Sequence, residues 1–124
     1  MPLYTITTQA GVLDGPAKTE LADKLTTFHA EYAGVPTHWV HIVFHEYLRG
    51  NGFTAGRPSP TAALTLLIRT GRSADYKREM LRRLWSLVQA ATGAPDDEIV
   101  LGIQEVPSSQ AMEMGQIMPD IASS

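Results

Sequence analysis

The sequence predicts an α/β (α+β) fold, a tandem β-α-β repeat forming a four-stranded sheet with two helices on one face. Three observations predict it. Gly34-Val-Pro36 and Gly93-Ala-Pro95 lie 59 residues apart, and the same offset relates Lys18 to Lys77, Glu20 to Glu79, Leu25 to Leu84 and Glu46 to Glu105. Each Gly-x-Pro follows an amphipathic helical pattern, glycine suiting the helix end and proline preventing its resumption. Each then leads into an apolar, β-branched run, Trp39 to Tyr47 and Ile99 to Val106.

In chain order, Leu3 to Thr8 reads as the first strand. Asp14 is a good N-cap with Pro16 in the first turn, and Ala17, Leu21, Leu25, Phe28 and Tyr32 form an apolar stripe. After the strand ending at Tyr47, Gly50-Asn51-Gly52-Phe53 reads as a turn into a short extra strand or hairpin. Ala62 to Thr70 opens the second unit. Ser73 begins the second helix, where Tyr76, Met80, Leu84, Leu87 and Ala91 repeat the stripe. Ser108 to Met114 is expected to form one or two helical turns, and Ala122-Ser123-Ser124 to fray. Residues 1–124 read as a single domain with pseudo-repeats at about 2–47 and 61–106, aligning Pro2 with Thr61. Strands within a unit should be parallel, with a right-handed crossover. One sheet face stays bare, which predicts oligomerisation.

The 124 residues include no cysteine, so disulfides, thiolate nucleophiles and zinc–thiolate sites are excluded together. A net charge of −3 gives no reason to expect nucleic acid or an anionic membrane as partner. Met1 to Gly11 lacks a basic start and an apolar run, so the expected location is cytoplasmic.

Pro2 follows Met1 directly, the situation in which the initiator methionine is usually trimmed. Trimming would leave a secondary amine whose reference pKa, roughly 7.7–8.0 for an α-amino group, lies close to working pH. Arg69 and Arg72 flank Gly71 between a strand end and a helix start. They read either as a solvated basic turn or as a forked clamp for a carboxylate. His29 lies at the edge of the first apolar stripe, as a packing residue or a hydrogen-bond donor to substrate. Were they helical, His41 and His45 could share a metal, but the run is strand-like and sets them about 13 Å apart. No metal site and no cofactor are therefore expected. Glu105 and Glu113 are the acids nearest the C-terminal end of the fold, and surface solvation explains either one.

Taken together, these patches resemble the tautomerase superfamily, most closely its cis-3-chloroacrylic acid dehalogenase branch. The resemblance runs from Pro2 to about Pro119. It rests on Pro2-Leu-Tyr4, His29, the 50–56 stretch Gly-Asn-Gly-Phe-Thr-Ala-Gly, Arg69-Thr-Gly-Arg-Ser-Ala-Asp75, Glu105-Val-Pro107 and Glu113-Met-Gly115. It implies a homotrimer with active sites around the amino-terminal prolines. Pro2 would be the acid/base, His29, Arg69 and Arg72 would bind a small carboxylate substrate, and Glu113 would activate water. One position departs: where that branch has a tyrosine assisting the acid, this chain reads Leu101-Gly102-Ile103. The departure tilts the expected activity towards keto–enol tautomerisation of a small enol or 2-oxo carboxylate such as phenylenolpyruvate. The alternatives are cis-3-haloacrylate dehalogenation or hydration and, should Met1 stay on, a non-catalytic oligomeric binding module.

Overall fold

The computed structural model of the chain describes residues 1–121; the expectation for residues 122–124 lies outside them. Strand β1 (Leu3–Gln9) leads to helix α1 (Gly15–Ala33) and strand β2 (His41–Tyr47). A hairpin of β3 (Phe53–Thr54) and β4 (Arg57–Pro58) follows. The second unit is β5 (Ala62–Arg69), α2 (Ala74–Thr92) and β6 (Ile99–Val106), closed by a hairpin of β7 (Met112–Glu113) and β8 (Gln116–Ile117). The main sheet runs β2-β1-β5-β6. Within each unit the strands are parallel, and the units join through antiparallel β1 and β5, with Thr5 opposite Thr65.

Both helices form where capping and periodicity place them. Asp14 Oδ1 accepts from the Ala17 amide at 2.8 Å and Ser73 Oγ from the Tyr76 amide at 3.1 Å. Gly34 and Gly93 end the helices in the left-handed region, both at φ 68°. Leu21, Leu25 and His29 of α1 and Met80, Leu84 and Val88 of α2 are the residues the helices bury. Their apolar members pack in one core with Tyr4 and Ile6 of β1 and Leu64, Leu66 and Ile68 of β5. Alternation then leaves Val43 and Val100 on the opposite face, 44% and 65% exposed. Among the described residues no helix is long and apolar enough to cross a membrane.

The repeat is more complete than the sequence suggests. Lys18 Nζ meets Glu46 Oε1 at 2.8 Å, and Lys77 Nζ meets Glu105 Oε1 at 2.8 Å. These are the residues related by the 59-residue offset, each tying a helix start to the following strand. The offset fails in the first strands, however. Buried Tyr4 and Ile6 of β1 are in phase with Leu64 and Leu66 of β5, 60 residues on, because the second unit has one residue fewer between strand and helix. Pro2 therefore aligns with Ala62 and not Thr61, since a one-residue slip would swap the sheet faces.

Two further expectations are corrected. Trp39 belongs to a short 3₁₀ turn, Thr37–Trp39, and the strand starts only at His41. Ser108 to Met114 contains a single 3₁₀ turn, Ser108–Gln110, before the chain enters the β7–β8 hairpin. Met114 and Gly115 both have positive φ, 53° and 74°, as do Ala55 and Gly56 at 53° and 75°. Such two-residue turns match the right-handed twist of a hairpin and exclude a continuing helix.

Candidate active site

The antiparallel β1–β5 pairing sets Leu3 opposite Leu67, so the chain's start lies beside the end of β5 and the loop before α2. The last turns of α1 come from the helix layer above. A cavity of about 30 Å³ lies where these meet, lined by Met1, His29, Arg69, Arg72, Tyr76 and Ile121 among others. Pro2 has a fully buried side chain, and its carbonyl accepts from the His41 amide at 3.1 Å.

His29 is 3% exposed, so it belongs to the buried stripe of α1 and not to its edge. Its Nδ1 lies 2.7 Å from the Tyr4 hydroxyl, and the two rings meet edge-on with centroids 5.5 Å apart. Burial chiefly, helped by the chain's amino group and Arg72, pushes the imidazole down to about 4. It is therefore neutral at working pH.

Arg72 is half-buried, with its guanidinium 4.7 Å from the centroid of the Tyr76 ring. Arg69 Nη1 donates to the Pro119 carbonyl. Burial and Arg72 both lower the Arg69 pKa, and Glu113 and Asp120 oppose them. Two cations thus crowd one small cavity whose third polar wall, His29, is uncharged. Such a pocket favours an anion. Tyr76 adds the one buried side-chain polar atom without a hydrogen-bond partner among the described residues, its hydroxyl.

Glu113, on β7, folds back onto the chain's start. Its carboxylate bonds the Met1 amino group and lies 3.4 Å from His41 Nε2. With a side chain only 12% exposed it is not a solvated surface acid. Pro2, His29, Arg69, Arg72 and Glu113 are thus all gathered at one end of the sheet. Glu105 is bound to Lys77 instead, and among the described residues no group of three His, Cys, Asp or Glu side chains could hold a metal ion. Gly102 lies on the bare face, where an added Cβ would meet nothing within 4 Å. Sequence reasoning assigned no role to Tyr4 and treated Tyr76 as packing. The available signal for Tyr4 was its two-residue spacing from Pro2, which puts both on one strand face.

A larger concavity, about 660 Å³, lies elsewhere, between the outer faces of the helices. Its carboxylates and guanidiniums neutralise one another, as in Glu79 with Arg82 and Arg83. It converges no polar groups on an apolar floor, so the smaller cavity is the better candidate.

Ile121 and Pro119 cover the Arg69 side of that cavity. Gly71 has φ 127°, and a Cβ there would lie 2.6 Å from Ile121 Cγ1. Gly71→Ala is expected to displace this segment and to cost about 1–2 kcal/mol in backbone strain. Urea denaturation checks the cost and amide exchange at Ile121 the displacement. An unchanged midpoint would refute the strain.

The model of the family described as "Putative oxalocrotonate tautomerase enzyme" matches residues 1–124. Among solved structures, Ps01740 in native form is 33% identical, with a TM-score of 0.86 over 90% of this chain and 99% of that one. N1, a member of the cis-3-chloroacrylic acid dehalogenase (cis-CaaD) family, is 29% identical at TM-score 0.87, over 95% of this chain and 84% of that one. A symmetric trimer of wild-type fused 4-OT has TM-score 0.84 at 20% identity, over 94% of each chain, a likeness of fold. Among curated proteins none matches.

Proposed function

This chain belongs to the oxalocrotonate tautomerase family whose model spans it, and on that premise we propose that it is a cofactor-independent tautomerase acting on a small enol or 2-oxo carboxylate. The observation that carries the proposal is the sharing of one cavity by the chain's first residue, His29, Arg69 and Arg72. Removal of Met1 frees the Pro2 nitrogen as a secondary amine and vacates the space Met1 fills. The substrate carboxylate is held by the two guanidiniums and His29. Neutral Pro2 takes the enol O–H proton, and a C=O forms as the C=C π electrons move to the neighbouring carbon. That carbon takes its proton from protonated Pro2, which returns to the neutral amine. The cations stabilise the enolate oxygen that develops. They also disfavour a protonated Pro2, which suits it to start as the base.

A second reading has one observation in its favour. Glu113 touches the residue that trimming removes, one peptide bond from Pro2, where it could activate water for hydration or dehalogenation of a cis-3-haloacrylate. N1 belongs to a family named for that chemistry. Gly102 brings no hydroxyl to assist, so tautomerisation is preferred, and halide release faster than tautomerisation would reverse the order. For assembly we propose a homotrimer. The bare face carrying Val43 and Val100 needs cover, and fused 4-OT, which shares the fold, forms trimers.

The deciding experiment is an intact-mass measurement on protein from its native host. Loss of one methionine together with phenylenolpyruvate ketonisation supports the proposal. Retention of Met1 would acylate Pro2, remove its basicity and leave an oligomeric binding module as the better account.

A further inference from the structure

We propose that Tyr4 is a positioning residue: its hydroxyl donates to Nδ1 of His29 and thereby fixes the imidazole as the tautomer that offers Nε2–H to the substrate carboxylate. This inference rests on the proposed function for the carboxylate and deepens it by naming what makes His29 a donor.

The 2.7 Å contact between Tyr4 Oη and His29 Nδ1 admits two proton arrangements. In one, the imidazole donates from Nδ1 and the phenol accepts. The phenolic proton is then buried with nowhere to go, because Tyr4 is 0% exposed and His29 is its sole side-chain partner among the described residues. An unsatisfied buried donor costs roughly 1–3 kcal/mol. Nε2 would also turn a lone pair towards any anion in the cavity. In the other arrangement the phenol donates, its proton is satisfied, and Nε2 carries the remaining N–H. A carboxylate between Arg69 and Arg72 then meets a third donor. The two requirements, satisfying the phenol and presenting a donor, select the same tautomer.

Placement makes the selection rigid. Tyr4 is the second residue of a strand hydrogen-bonded on both sides, paired with Ile42 and Leu66. His29 is packed into the helix–sheet core, edge-on to the Tyr4 ring. Neither side chain can swing away without opening the core. Burial raises the Tyr4 pKa and lowers that of His29, so both partners are neutral at working pH and the bond is phenol to imidazole. The unit repeat underlines the asymmetry: Val88 is the α2 residue equivalent to His29, and Leu64 the β5 residue equivalent to Tyr4, so this pair exists once per chain.

The test is ¹⁵N NMR of the histidine ring on trimmed protein at pH 7, with phenylenolpyruvate kinetics on the same samples. In wild type, His29 should show an unprotonated Nδ1 and a protonated Nε2. Tyr4→Phe should shift the ring towards the Nδ1–H form and raise KM about tenfold, the size of one hydrogen bond to a charged group, with kcat within about threefold. Tyr76→Phe removes the other hydroxyl of the cavity and should leave the His29 signals as in wild type. A wild-type ring already protonated at Nδ1, or a Tyr4→Phe ring unchanged, overturns the role of Tyr4 and leaves the proposed function standing. The expected wild-type tautomer with an unchanged KM in His29→Ala removes the carboxylate contact and with it the role of Tyr4, while the activity so measured leaves the proposed tautomerisation to Pro2, Arg69 and Arg72. The wild-type spectrum decides the tautomer even if Tyr4→Phe does not fold.

Discussion

Replacing Pro2 by alanine is expected to lower kcat for ketonisation by about 10²- to 10⁴-fold, the span that a positioned acid/base contributes. The chain would still begin Met-Ala, so trimming of Met1 should proceed and a free terminal amine should remain. What changes is its nature. A secondary amine locked in a ring presents one lone pair in a fixed direction, whereas a primary amine rotates and is more heavily hydrated. Alanine also leaves part of the fully buried Pro2 side-chain volume empty, next to Tyr4. KM should move little, because the carboxylate contacts come from other elements. Stopped-flow ultraviolet assays with phenylenolpyruvate, with intact mass on the same preparation, check the outcome. A variant that is trimmed, folded and within a few-fold of wild type would defeat general acid/base catalysis by the terminal nitrogen.

The helices were legible because their ends are written in local chemistry. Asp14, Ser73 and the two Gly-x-Pro sequences each act within a few residues, so no tertiary information is needed. The four long strands follow from alternation, and their joining from the requirement that each unit bury one face. The C-terminal hairpin was not legible. Its turn is Met114-Gly115, whose methionine adopts a positive φ that the residue type does not advertise, unlike an Asn-Gly turn. Only the 59-residue equivalence to Ala55-Gly56 reveals it, which is why Glu113 looked like a solvated acid. The strand offset was misread because a single missing residue before α2 leaves every helical equivalence intact while shifting β5 by one. At the site, arginines and proline were legible from residue type and position. The state of His29 was not, because it depends on burial at the sheet–helix interface, against a tyrosine 25 residues away in the chain.

That state carries a stability consequence that acid should expose. His29 faces Tyr4 from β1, Arg72 and Tyr76 from the second unit, and the chain's amino group, which itself holds the Glu113 carboxylate. Burial first, then the amino group and Arg72, keep the imidazole uncharged. Its pKa falls from an ordinary 6.5 unfolded to about 4 folded. Between those values the unfolded chain binds a proton that the native one refuses, so stability rises with pH across the window. The contribution is complete above about pH 6.5 and is lost progressively as pH falls towards 4. Converted at 1.36 kcal/mol per tenfold, the full span is on the order of 3 kcal/mol, a large share of a small domain's stability of about 5–15 kcal/mol. His29→Gln keeps a side chain able to reach the Tyr4 hydroxyl but cannot titrate. Urea denaturation at pH 7, 6, 5 and 4 should show the difference in stability between wild type and His29→Gln changing by that amount, wild type losing more as pH drops. Carboxylates titrating over the same range affect both proteins alike and cancel in the difference. Parallel curves, or an NMR titration of His29 with a midpoint near 6.5, would mean that the imidazole is not sealed between β1 and α1.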